Sequence, residues 1–139
     1  MTKFLFTICL SLFSIAAFAQ QQAVDARVVK DTEAMVKYYD LDETQAQKME
    51  VIQARKYRNL ADIASLEQSD RTLYLRKLKS IRTGTWASTR RILREDQMQP
   101  YNDLLIERRR KESAFIKEQK ATGKTKAEIE LALLELEVE

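Results

Sequence analysis

Histidine and cysteine are the side chains that most often supply a general base, a nucleophile or a soft metal ligand near neutral pH, and they are almost missing from this chain. It has no histidine and one cysteine, Cys9. No serine stands in G-x-S-x-G, and two glycines cannot build a phosphate-cradling loop. Beyond the initiator, only Met35, Met49 and Met98 offer sulfur, which leaves a copper, zinc, nickel or cobalt site without its preferred donors. Asp40, Asp42 and Glu43 could attract a hard cation, but helix capping explains them more simply. The expectation is therefore a protein with no catalytic residues, no metal and no cofactor.

What remains is surface that could bind rather than react. Leu75, Lys79, Arg82, Trp86 and Arg90 recur at steps of three and four, which sets the only tryptophan in a basic row on one helix. Such a strip could hold flexible clients through apolar contact and attraction to acidic groups. Alternatively, Trp86 belongs to a core and the cations to a solvated face. A second candidate is the run Arg108, Arg109, Arg110 and Lys111. By helical rotation Arg109 and Glu112 fall inside an apolar stripe between Leu105 and Ile116, and Lys56 interrupts the stripe of Met49, Ile52, Leu60 and Ile63. Either these charges pair across a helix or dimer contact, or the stripes line an open mixed groove. Nucleic acid is not expected as a partner, because aromatic stacking positions are scarce.

Several elements must position these residues. Lys3, the uncharged apolar run from Phe4 to Ala16 and the small-x-small site Ala17-Phe18-Ala19 predict a cleaved secretory signal over residues 1–19. The run is shorter than the roughly 20 residues that span a bilayer, so no stable membrane insertion is expected. Cys9 would leave with the signal. Residues 20–139 then form one domain without disulfides, held by its core, by oligomerisation or by both. Its charge is layered: −3 over residues 20–70, +8 over 71–120 and −3 over 121–139. That layering suits self-association or an acidic partner surface.

One proline and two glycines exclude a turn-rich β-fold. Apolar spacing predicts an all-α chain of four to five helices. The first runs from Gln22 to Tyr39 and the second from Glu43 to about Leu66. After a turn at Gln68-Ser69-Asp70, a third carries Tyr74, Leu78, Ile81, Thr85 and Ile92 and reaches Leu93. The fourth runs from about Glu95 to Gln119, with Pro100 implying a bend or a late start. Gly123 reads as a stop, and Thr125 to Glu128 as a capping box for a short last helix within 121–139, whose alternating end also fits a strand. Stripes this narrow cannot be buried by one thin layer, so antiparallel hairpins pairing with a second copy, a homodimer, are expected.

Two segments match at a separation of 52 residues: Leu41-Asp42-Glu43-Thr44-Gln45 and Leu93-Arg94-Glu95-Asp96-Gln97. Each stands where one helix hands over to the next. Asp42 can cap the new helix while Gln45 reaches back to its amide, and Leu41 packs on the first turn. In the second copy Leu93 would staple to Met98, but Arg94 has no acceptor and leaves capping to Gln97 or water.

On these residues the chain resembles the Spy/CpxP family of periplasmic proteins, known for a doubled L-T-x-x-Q motif, over about Val24 to Gln119. The resemblance implies long bent helices in antiparallel hairpins and a cradle-shaped homodimer. It also implies one of two functions: an ATP-independent chaperone holding unfolded or misfolded envelope proteins, or a regulator bound to the outward domain of an envelope-stress sensor kinase. A purely structural envelope protein is a third reading. Some relatives bind metal, for which this chain lacks ligands. It departs from the motif at both threonine positions, Asp42 and Arg94.

Overall fold

The structure, a computed structural model, describes residues 26–136. The expected signal with Cys9, the first turn from Gln22 and the last three residues of the strand-like end lie outside the described residues. Within them the chain is all-α, with six helices and no strand. These are α1 (26–39), α2 (Glu43–Ile63), α3 (Leu66–Ser69), α4 (Arg71–Ile92), α5 (Met98–Ala121) and α6 (Lys126–Leu136). A 3-10 turn, Glu95–Gln97, precedes α5. No helix among the described residues is long and apolar enough to cross a membrane.

Each boundary has a local cause. At the end of α1, Asp40 takes a left-handed conformation (φ 51°), and the Leu41 amide donates back to the Val36 carbonyl at 3.0 Å. This is the six-to-one bond of a Schellman stop, at a residue type that tolerates positive φ better than most. The second helix ends three residues earlier than its pattern predicts. Ala64 and Ser65 interrupt it, and the expected turn at residues 68–70 is largely taken up by the single turn α3. Asp70 then caps α4, its carboxylate accepting from the Leu73 amide at 3.0 Å.

Pro100 is accommodated by the late start. With the 3-10 turn ahead of it, Pro100 becomes the third residue of α5, where a missing amide hydrogen costs no intrahelical bond. Gly123 (φ 79°) closes α5, with the Lys124 amide donating to Gln119 at 3.3 Å and its own amide to Lys120 at 3.1 Å. The Thr125 and Glu128 box forms as expected: the Thr125 amide donates to Glu128 Oε2 at 2.8 Å and the Glu128 amide to Thr125 Oγ1 at 3.4 Å.

The helices pack as antiparallel pairs. The main one is α2 against α4, and α6 bridges α4 and α5. Tyr39, Leu41, Met49, Ile52 and Tyr101 form the buried cluster, with Met35, Val36, Trp86, Ile92, Leu93, Met98 and Leu105 packed around it. The core thus sits at the end of the bundle where α1 enters α2 and α4 leaves for α5, and the two handover segments are built into it.

Candidate functional site: interlocked caps beside a mixed groove

The two matching segments face each other. Asp42 Oδ1 accepts from the Gln45 amide at 2.9 Å, and Gln45 Oε1 accepts from the Asp42 amide at 3.1 Å, which completes the expected box. In the second copy only the return half exists, Arg94 N donating to Gln97 Oε1 at 3.0 Å. A guanidinium carries donors alone and cannot cap.

Across the 52-residue separation the two amides then bind each other. Gln45 Nε2 donates to Gln97 Oε1 at 2.7 Å, and Gln97 Nε2 to Gln45 Oε1 at 3.1 Å. Each Nε2 spends its second hydrogen on the carbonyl just before the other copy's leucine: Gln45 on Ile92 O at 2.5 Å, Gln97 on Asp40 O at 2.6 Å. Both side chains are buried, at 5% exposure each, and every amide hydrogen has an acceptor.

The two departures from the motif answer one another. Arg94 Nη1 donates to Asp42 Oδ2 at 2.6 Å and to Gln45 Oε1 at 2.7 Å. An aspartate in one copy and an arginine in the other therefore replace two capping hydroxyls with an ion pair across the junction. Both side chains are about half exposed, so solvent screens the pair and its direct contribution is small.

Beside this junction α1, α2, α4, α5 and α6 line an open groove of about 1150 Å³. Met35, Leu60, Ile81, Trp86, Leu104 and Phe115 supply apolar walls. Four cations line it, Lys56, Arg82, Arg108 and Lys111, together with four acids, Asp31, Glu107, Glu112 and Glu118. Lys56 pairs with Asp31 at 2.8 Å, Arg108 with Glu112 at 2.8 Å and Lys111 with Glu107 at 2.8 Å. Of the charges expected in the stripes, Lys56 meets an acid across a helix contact and also lines the groove; Glu112 lines it too but pairs within its own helix, and among the described residues Arg109 does neither.

The residues of the basic row are separated. Leu75 is 1% exposed and serves packing, so it offers no surface. Lys79 and Arg90 are exposed outside the groove, while Arg82 and Trp86 line it. Trp86 also packs on the core, its ring 6.1 Å from that of Tyr101 and its indole under the Arg108 guanidinium at 5.4 Å. In the fourth helix it is Arg108, not Arg109, that turns inward with Glu112; Arg109 is exposed. Neighbours on a helix stand about 100° apart, so which of the two arginines faces the groove depends on how α5 is rotated against the helices around it.

Sequence reasoning passed over Asp31. Its signal was available, since Asp31 lies on the Val28 and Met35 face of α1 and an inward lysine on α2 needs an acid. Asp31 Oδ2 accepts from Lys56 Nζ at 2.8 Å and from the Tyr57 hydroxyl at 2.6 Å, with Arg27 stacked on Tyr57 at 5.1 Å. Burial pushes the Asp31 pKa up, but hydrogen bonds from Lys56 and Tyr57 and the charges of Lys56 and Lys30 together outweigh it and hold the carboxyl below its ordinary value. Burial first, then the bond to Asp31 and its charge, push Tyr57 from 10.0 up to about 12 against the pull of Arg27.

A depressed carboxylate stabilises the fold above its unfolded pKa and loses that contribution as pH falls through the folded one. A raised phenol stabilises below pH 10 and loses it as pH rises toward 12. The stability advantage of the native chain over Tyr57→Phe is therefore expected to be flat from about pH 5 to 9 and to shrink on both sides. Urea midpoints across pH check this, and a difference constant from pH 3 to 12 refutes it. Comparison with the variant is needed because burial also raises Tyr39 to about 12.

Among the described residues no group of three or more histidine, cysteine, aspartate or glutamate side chains is placed to hold a metal ion. No protein-family model, curated protein or solved structure matches the chain.

Proposed function

We propose that this chain is an ATP-independent holding chaperone of the bacterial cell envelope, which receives unfolded or aggregation-prone proteins in the groove between its helices. The observation that carries the reading is the groove itself: wide, open, apolar along its walls and edged by paired charges. Extended chains of varied sequence can lie on apolar walls, while charge pairs that exchange partners can meet their polar groups. The expected signal peptide and the doubled motif support the envelope setting, and a second copy of the chain would widen the same surface.

The groove also moves the binding surface from the basic row to Arg82, Trp86, Arg108 and the apolar walls around them. Light scattering from several unrelated unfolding proteins, with no nucleotide added, is expected to be suppressed. Leu104→Ser with Phe115→Ser, both half-buried walls, should weaken client binding roughly tenfold through lost apolar contact. Charge reversal at Lys79 and Arg90 should leave it unchanged. If no client is protected at several-fold excess while one sensor-kinase domain binds tightly, the regulatory reading replaces this one.

A further inference from the structure

A second, smaller recess of about 290 Å³ lies between α2 and α4 and meets the groove at Lys56, Ile81 and Thr85. Its charge is one-sided. Arg55, Lys56 and Arg91 line it, and no acidic side chain does. Among the described residues neither Arg55 nor Arg91 is ion-paired with a carboxylate, whereas Lys56, shared with the large groove, pairs with Asp31, and Arg108 and Lys111 of that groove pair with Glu112 and Glu107. Gathering like charges around a concavity is unfavourable in the empty protein and becomes favourable when an anion fills it.

Arg55 is also held in place. Its Nη2 donates to Ser88 Oγ at 2.6 Å, and Ser88 Oγ donates to the Gly84 carbonyl at 2.8 Å, so the guanidinium is tied to the middle of α4. Gly84 stands inside that 22-residue helix, where glycine costs about 1 kcal/mol relative to alanine. Among the described residues no close approach requires it, since a Cβ at Gly84 would meet no atom within 4 Å. The glycine leaves no side chain on the stretch of α4 that lines the cationic recess, which suits close approach by a ligand.

We propose that this recess binds a small anion carrying two linked phosphate groups, free diphosphate or a diphosphate ester. Lys56 is already answered by Asp31, but Arg55 and Arg91 add two guanidinium charges that no carboxylate among the described residues neutralises. Guanidinium groups and the hydroxyl of Ser80 match many-oxygen acceptors. The space, about ten times the roughly 30 Å³ of one water, accommodates two phosphates with part of their hydration. This site is independent of the chaperone reading.

Calorimetric titration of the full chain with diphosphate at constant ionic strength tests it, with citrate and glycerol phosphate as comparison ligands. Saturable binding tighter for diphosphate than for either is expected. Arg55→Gln and Arg91→Gln should each weaken it about tenfold. Arg110→Gln, an exposed change on α5, which contributes nothing to the recess, should not. Gly84→Ala gives a separable readout: the melting temperature rises because the helix gains alanine, while diphosphate affinity falls because a methyl group enters the lining of the recess. Loss of affinity in Arg110→Gln equal to that in Arg55→Gln, citrate binding as tightly as diphosphate, or Gly84→Ala raising the melting temperature with affinity unchanged would each overturn the assignment.

Discussion

Replacing Gln45 with alanine is expected to lower the unfolding free energy by about 3–5 kcal/mol, a large part of the roughly 5–15 kcal/mol available to a domain of this size. The substitution removes more than one bond. It strips the partner from Gln97 Nε2 and Oε1, which are buried, and from the Asp42 amide and the Ile92 carbonyl, which are partly so. Buried groups left unsatisfied cost more than the bonds themselves contributed.

Gln97→Ala should cost a similar amount, since it occupies the equivalent place and reaches Asp40 as Gln45 reaches Ile92. The double variant should then be less destabilised than the sum, by about 1–3 kcal/mol, because once one amide is gone the other has already lost its partner. Urea denaturation of the four proteins provides the check. Strict additivity would mean that the two copies cap their helices separately and that the reciprocal pair contributes nothing.

The second large effect is expected at Met49, which is wholly buried at the centre of the cluster with Tyr39, Leu41, Ile52 and Tyr101. Met49→Ala should cost about 2–5 kcal/mol through lost apolar burial and the cavity left behind. Met49→Leu keeps the volume but removes the sulfur that accepts from Gln53 Nε2 at 3.5 Å, and should cost about 1 kcal/mol. The gap between the two variants separates packing from the polar contact. Equal losses in both would assign the effect to the Gln53 contact instead. Because Met49 joins the two handover segments through one core, Met49→Ala should also loosen the groove beside it.

The helical class, four of the boundaries and the stop at Gly123 were legible from local rules alone: apolar spacing, an aspartate or threonine ahead of a stripe, a glycine after one. The capping box at Asp42 and Gln45 was legible for the same reason, since both its partners lie within four residues. The pairing of Gln45 with Gln97 was not, although both residues and their repeat were in view. Each side chain has enough hydrogen-bonding groups to satisfy a local cap and a distant partner together, and local pattern records only the first.

The same limit governed charge. Arg94 read as a defective cap, and as a cap it is one; its use is to reach Asp42, which requires the two segments to meet. Spacing could place Leu75, Trp86 and the cations on one helix face, but which part of that face is covered depends on the helices packed around α4, α2 above all. Those neighbours buried Leu75, left Lys79 and Arg90 outside the groove and put Arg82 with Arg108 along it.

Composition by itself determined that this chain carries no histidine and that its one cysteine is Cys9, and helix propensity with sparse glycine and proline determined its all-α class. Tertiary structure decided which cations are matched by acids, which line the recess without them, and that two repeated glutamines close on each other. The physical reason is range: propensity and capping act within a turn or two of helix, whereas burial and charge pairing depend on what arrives from far along the chain.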